Sequence, residues 1–261
     1  MRKVFFFILM LTLSISRIGA QNDWSLSDGT LLDGKSIVKL NLTSMLLKNY
    51  SLYGERILNN RLSVILGVNT AYYCSIPLVT YFNISDKNVQ TTLNKIGLKS
   101  FALTPEMRIY TGSGFGEGFY LSPYFKYEKY YIDDYLGYFN NSKDENIKIG
   151  ISGNLKSYSG GLAIGYQWLI GTYKNFVIDY TIFGIHGGRS FSNFHGIYYN
   201  ETTGIGMSDE DQQNVKNNIE DVMRIIPLTK HTTSIDDKNV NLSINSPWIF
   251  FRMGISVGYR F

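Results

Sequence analysis

Eight stretches of the chain alternate apolar and polar side chains: 36–46, 50–57, 61–71, 101–111, 118–131, 155–169, 176–186 and 247–260. A period of two is what a strand with two different faces requires, so each stretch is predicted to be a strand. Most approach the roughly 9–11 residues with which a tilted strand crosses a bilayer. The connections sort by length. Those after strands two, four and six are short, around Asn59-Asn60, Ser113 to Glu117 and Thr172 to Asn175. Those after strands three, five and seven are long, covering 72–100, 132–154 and 187–246, while the first outward loop, Leu47 to Asn49, is brief. Short turns at one end and long loops at the other predict an all-β fold: an eight-stranded antiparallel transmembrane up-and-down β-barrel with short periplasmic turns, and short helices within its long outward loops.

The charges choose which face points where. In 101–111, Phe101, Leu103, Met107 and Ile109 oppose Thr104, Glu106, Arg108 and Tyr110. In 118–131, Phe119, Leu121, Phe125 and Tyr127 oppose Tyr120, Ser122, Tyr124, Lys126 and Glu128. A Lys or Arg facing lipid at mid-depth costs roughly 2–4 kcal/mol, so the charged faces are assigned inward. In the last strand Ile249, Phe251, Met253, Ile255, Val257, Tyr259 and Phe261 then point outward, with Arg252, Gly254, Ser256, Gly258 and Arg260 inward. Keeping Glu55 inward requires an odd-length loop or a bulge at Asn59-Asn60, and a three-residue loop pairs Glu55 with Ser63. Arg56 points outward near the turn, where it can snorkel to a polar interface.

Two loop segments carry helical spacing. After Ser208 the run Asp209-Glu210-Asp211 opens a capping-box pattern, and Val215, Ile219, Val222 and Ile226 form a stripe before Pro227. Ser85, Val89, Leu93, Ile96 and Gly97 suggest a shorter helix in the second outward loop. Both stripes are expected to pack on the barrel rim or on neighbouring loops, with a partner protein as the alternative.

Residues 1–20 have the basic, apolar, small-residue order of a secretory signal, from Arg2-Lys3 through Val4–Ile15 to Ile18-Gly19-Ala20. The expected organisation is a signal peptide over 1–20, a periplasmic segment over 21–35, and the barrel over 36–261. No later stretch is apolar enough for a spanning helix, and Gln21 follows the signal where a lipoprotein needs cysteine. Removing Arg2, Lys3 and Arg17 from the 25 basic residues leaves 22 against 21 acidic ones, so the net charge gives no support to a nucleic-acid partner. Cys74 is the single cysteine, which excludes an intrachain disulfide and a thiolate-rich metal site. Twenty Tyr, 16 Phe and 25 Gly suit a sheet protein with interfacial aromatics.

The segment KLNLTSMLLKNYSLYGERILNNRLSVILGV, Lys39 to Val68, resembles the opening of a bacterial outer-membrane barrel family of unknown function, and the architecture resembles the small eight-stranded OmpA/OmpX-like barrels. The closing GISVGYRF, Gly254 to Phe261, is similar to the terminal signature of outer-membrane barrels, whose alternate outward residues, here Val257, Tyr259 and Phe261, are read by the barrel-assembly machinery. The resemblance implies the outer membrane of a diderm bacterium, both termini periplasmic, with outer-membrane lipid as surroundings. It also suggests a role in surface assembly, because related genes often neighbour those of surface appendages.

A small barrel fills its lumen with its own side chains. Glu55, Glu106, Arg108, Lys126, Glu128, Asp179 and Arg252 are accordingly expected to form an interior polar network rather than to line a channel. Histidines are weighed as catalytic groups. His186 and Ser190 are four apart across Gly187-Gly188, placed near or beyond a strand end, and His195 and His231 lack neighbouring ligands, so neither an active site nor a metal site is expected. Gly112, Gly114, Gly116 and Gly118 precede a strand rather than a helix and are read as turn glycines instead of a phosphate loop. No cofactor is expected. The leading expectation is a non-enzymatic barrel whose surface loops serve adhesion, appendage assembly or envelope integrity. The alternatives are a lipid-modifying acyl hydrolase or transferase, and a soluble lipocalin-like carrier with every facing inverted.

Overall fold

The computed structural model describes residues 34–46, 48–74, 98–111, 114–140, 146–200, 206–225 and 228–261. The proposed signal, the rest of the N-terminal segment and the short helix over 85–97 lie outside them. The strands are β1 (Ser36–Asn41), β2 (Asn49–Ile57), β3 (Leu62–Cys74), β4 (Leu98–Tyr110), β5 (Gly118–Asn140), β6 (Asn146–Ile170), β7 (Phe176–Asn200), β8 (Lys230–Ile235) and β9 (Asn239–Arg260); the helices are α1 (Leu42–Leu46) and α2 (Asp209–Ile225). All nine strands form one antiparallel up-and-down sheet in the order β1-β2-β3-β4-β5-β6-β7-β9-β8, and pairing of β1 with β9 closes it into a ring. The ring passes through β1–β7 and β9, with β8 attached to the far end of β9. Cross-strand partners followed once around it run Leu40, Leu52, Val68, Leu103, Tyr127, Tyr158, Arg189 and Pro247, yet Leu40 itself pairs with Val257. The path has climbed about ten residues of β9, the stagger that tilted strands need to close.

Alternation predicts the facings, and burial shows their consequence. Lys39, Glu55, Glu106, Arg108, Glu128 and Asp179 are buried inside the ring, while Val38, Leu52, Leu66, Phe125, Leu162, Phe251 and Met253 are exposed on its outer face. The interior is thus charged and the exterior apolar, the reverse of a water-soluble barrel.

Several boundaries differ from those expected. The strand drawn over 36–46 ends at Asn41, because the Asn41 Oδ1 accepts the Ser44 N–H at 2.8 Å and starts α1. Lys48, with φ 57°, turns the chain back into β2. The first hairpin therefore stays short. Among the described residues, no strand flanks β9 on its β1 side between Pro247 and Met253; just below, Thr43 Oγ1 accepts the Ile255 N–H at 3.0 Å. Ile249, Phe251 and Met253 are accordingly 62–66% exposed.

The segments 132–154 and 187–246 are not mainly loops. Most of the first continues β5 and β6, and the second supplies the end of β7, α2, β8 and the start of β9. Two of these extensions do alternate, with Ile147, Ile149 and Ile151 in β6 and Val240, Leu242 and Ile244 in β9, and ladder pairing with β7 carries both strands through segments that loop length alone had marked as connections. The β2–β3 loop has an odd length, but pairs Ile57 with Ser63 and Glu55 with Ile65. Glu55 and Ser63 still share the inner face and meet diagonally, Ser63 Oγ donating to Glu55 Oε1 at 2.6 Å. In α2 the Ser208 Oγ accepts the Asp211 N–H at 3.2 Å and donates to Asp211 Oδ2 at 2.7 Å. Val215 of its apolar stripe packs against the buried pair Tyr198 and Met207, as do Ile235 and Val240. That part of the stripe seats the helix on the rim.

Candidate functional site: the charged lumen and the outer rim

Lys39, inward on β1, is the hub of the lumen. Its ammonium is buried and its three N–H groups find three acceptors: Glu55 Oε2 at 2.7 Å, Asp179 Oδ2 at 2.7 Å and Gln167 Oε1 at 2.9 Å. Arg108 from β4 links the same groups, with Nη1 at 2.8 Å from Asp179 Oδ2 and 3.0 Å from Gln167 Oε1, and Nε donating to Glu106 Oε1 at 2.8 Å. Arg252 from β9 completes the row through Glu106 Oε2 at 2.6 Å. Two tyrosines buttress it, Tyr110 donating to Glu55 Oε1 at 2.7 Å and Tyr120 to Asp179 Oδ1 at 2.8 Å. The Arg108 guanidinium also lies 3.8 Å from the Tyr120 ring centroid.

Further up the lumen, Lys126 pairs with Glu128 Oε1 at 2.6 Å, and Glu128 Oε2 accepts Trp248 Nε1–H at 2.8 Å. The seven residues singled out from sequence thus fall into a lower cluster, Glu55, Glu106, Arg108, Asp179 and Arg252, and an upper pair, Lys126 and Glu128. By themselves they hold three cations against four anions. Lys39, which the sequence reading omitted, balances the set. The signal was available: Val38 and Leu40 face outward, so Lys39 between them had to face inward and needed carboxylates. Alternation had put Tyr110 and Tyr120 on the inward faces as well, but a tyrosine suits lumen and interface alike, so neither they nor Gln167 and Trp248 stood out as partners of the charges.

This arrangement plugs the lumen instead of opening it. Every charge in the lower cluster is matched at hydrogen-bond distance, and Gln167 Nε2 donates to Gly116 O at 2.7 Å across the lower turn. Gly116 has φ 82°, and a Cβ there would press on Ile57, so glycine keeps that turn against the plug. Val257 and Tyr259 lie exposed on the outer face of β9, and Phe261 exchanges backbone hydrogen bonds with Ser36 at 2.9 and 3.1 Å, completing the seam with β1.

The histidines are placed differently from expectation. His186 and Ser190 lie on the same inward face of β7, because the strand continues to Asn200. They are nevertheless engaged apart: His186 Nδ1 is 3.0 Å from Tyr124 Oη, and Ser190 Oγ is 2.8 Å from Ser246 Oγ. His186 Nε2 is buried with no hydrogen-bond partner. His195 Nδ1 meets Asn241 Oδ1 at 2.7 Å and helps to line a recess of about 380 Å³, with Tyr131, Asn154, Phe194 and Leu242, on the extended part of the sheet. Among the described residues, no three His, Cys, Asp or Glu side chains are grouped to hold a metal, and no helix is long and apolar enough to cross a membrane.

These features define a closed all-β ring with an ion-paired lumen, an apolar outer wall and a sheet raised on one side. The sequence matches the family described as Protein of unknown function (DUF3575) over residues 4–184, more than half of the chain, and the chain belongs to that family. The match spans β1–β6 and the first part of β7, and β9, which closes the ring, follows it. No curated protein matches the sequence.

Proposed function

We propose that the protein is a non-enzymatic, integral outer-membrane β-barrel, both termini periplasmic, whose raised sheet receives a partner protein at the cell surface in adhesion, appendage assembly or envelope integrity. The observation that carries this reading is the inversion of polarity across the wall. In water, an outer face with Leu66, Phe125, Leu162, Ile185, Phe251 and Met253 exposed would drive aggregation; in a bilayer it is the solvated face. Dimensions agree. Outward along β6 from Trp168 to Lys156 come Tyr166, Ile164, Leu162, Gly160 and Tyr158. About twelve residues at ~3.3 Å, tilted by roughly 40°, rise near 30 Å, the thickness of a hydrocarbon core. The strand β9 ends in the outward Val257, Tyr259 and Phe261 that assembly machinery would engage.

The surface role rests on asymmetry. β5, β6, β7 and β9 run for 23, 25, 25 and 22 residues, far beyond a crossing, whereas β1 has six. Their extensions, β8 and α2 make a curved platform on one side of the rim. A lipocalin-like carrier needs an apolar interior, and Lys39, Glu55, Arg108 and Asp179 occupy that place. The non-enzymatic reading draws on the separate engagement of His186 and Ser190.

The test combines fractionation with surface access. Recovery in the outer membrane, a heat-dependent gel shift and labelling in intact cells of a tag inserted at 236–238, in the β8–β9 turn, are the expected results. A soluble periplasmic protein without the shift would overturn the barrel; outer-membrane recovery with a tag reachable only after lysis would overturn the surface platform.

A further inference from the structure

On the outer face of β6 and β7, Gly160 and Gly187 pair directly, and a Cβ added at either would enter open space or at most graze Ile249 at 3.9 Å. The same row continues to Phe125 on one side and Ile249 on the other. The two glycines are therefore the floor, and Ile249 one wall, of a groove of about 490 Å³ that ends on Leu162 and Ile185. One step above the floor lies Arg189, paired with Tyr158; two steps above, Lys129 pairs directly with Lys156. Like charges placed opposite each other destabilise a sheet. Among the described residues, no carboxylate pairs with Lys129, Lys156 or Arg189. Lys129 rests 4.2 Å from the Tyr131 ring centroid, and Arg189 Nη1 donates to Asn245 Oδ1 at 3.0 Å, contacts that orient the cations without neutralising them. Because each step to the next tilted strand climbs about 3 Å, the three cations fall within roughly 4 Å of one height.

We propose that this face is a binding site for a phosphate-bearing acyl lipid of the surrounding bilayer, its acyl chain lying over Gly160 and Gly187 and its phosphate held by Lys129, Lys156 and Arg189. The inference rests on the membrane-spanning reading. An acyl chain is narrow enough to lie on a floor two strands wide, where β-carbons would fill the space. A phosphate supplies the anionic oxygens that three converging donors lack. The site explains why Lys129 and Lys156 face each other at the level where the apolar wall ends.

The experiment measures motional restriction of spin-labelled phosphatidic acid against spin-labelled phosphatidylcholine around the full-length protein in phosphatidylcholine vesicles. Insertion is checked first by the heat-dependent gel shift. The wild type is expected to favour phosphatidic acid by at least about fivefold, each cation near a surface being worth roughly that factor. Lys129→Gln/Lys156→Gln/Arg189→Gln should abolish the preference while keeping the shift, and Gly160→Leu/Gly187→Leu, which leaves the charges in place, should weaken it by filling the floor. Equal restriction of both lipids by inserted wild type, or a preference surviving in the triple variant, overturns this site and leaves the barrel standing. Failure of the wild type to insert overturns both.

Discussion

Replacing Lys39 with Met tests the lumen at its hub. The substitution removes one cation and three hydrogen bonds of 2.7–2.9 Å while keeping much of the side-chain volume. Glu55 and Asp179 would then share Arg108, whose Nη1 lies 2.8 Å from Asp179 Oδ2 but 4.0 Å from Glu55 Oε2. Glu55 becomes the poorly compensated group, left with Ser63 and Tyr110 as neutral donors. Breaking a buried pair by removing one partner costs about 3–5 kcal/mol, and the remaining Arg108 argues for the lower half of that range. Restoring neutrality should recover part of it. In Lys39→Met/Glu55→Gln the stranded charge is gone, and the double variant is expected to be destabilised by about 1–3 kcal/mol less than the two single effects summed. The assay is reversible denaturant unfolding in vesicles, followed by tryptophan fluorescence and the heat-dependent gel shift. A loss below about 1 kcal/mol for Lys39→Met, or strict additivity with Glu55→Gln, would refute the view that Lys39 neutralises the plug. The rim pair Lys174–Glu117, at 2.7 Å with the lysine side chain 56% exposed, is the control: Lys174→Ala should cost no more than about 1 kcal/mol.

Three further outcomes are expected. Ile164→Arg puts a charge on the outer wall and should cost about 2–4 kcal/mol in a bilayer; a change within experimental error would contradict lipid contact there. Gly165→Ala forces a Cβ onto the Tyr120 hydroxyl and displaces it from Asp179 Oδ1. Overpacking of this kind costs about 1–3 kcal/mol, and denaturant midpoints unchanged from wild type would count against it. Asp236, in the β8–β9 turn, accepts the Lys238 and Asn239 N–H groups, and these backbone hydrogen bonds, Lys238 first, hold its carboxyl below the usual range. Since the folded value is depressed, the turn's extra stability is present above the ordinary carboxylate range and is lost as pH falls through the folded value. Hydrogen exchange at Lys238 and Asn239, corrected for intrinsic rates, should therefore lose protection on acidification in the wild type and show little such dependence in Asp236→Asn; equal dependence in both would refute the assignment.

What the sequence determined by itself was the wall. Period-two alternation, with charges on one face of 101–111 and 118–131, sufficed to separate inside from outside, because an unpaired charge is costly on an apolar outer surface and can be paired in a lumen. The same rule selected Glu55, Glu106, Arg108, Lys126, Glu128, Asp179 and Arg252 as inward-facing, and the α2 cap at Ser208 was written in local sequence.

Tertiary structure decided the rest. Glu55, Glu106, Arg108, Asp179 and Arg252 come from β2, β4, β7 and β9, so only closure of the ring could join them, and only then did Lys39 emerge as the balancing charge. The extensions of β6 and β9 alternate in the sequence, at Ile147, Ile149 and Ile151 and at Val240, Leu242 and Ile244, but only ladder pairing with β7 shows that they prolong the barrel strands rather than form separate hairpins within loops. The end of β1 at Asn41 was a contest between continued alternation and a side-chain cap, settled by the Asn41–Ser44 hydrogen bond. The facing of Lys129 and Lys156 is likewise a matter of register. A sequence records two lysines 27 positions apart, and the stagger of a closed barrel sets them side by side above a glycine floor.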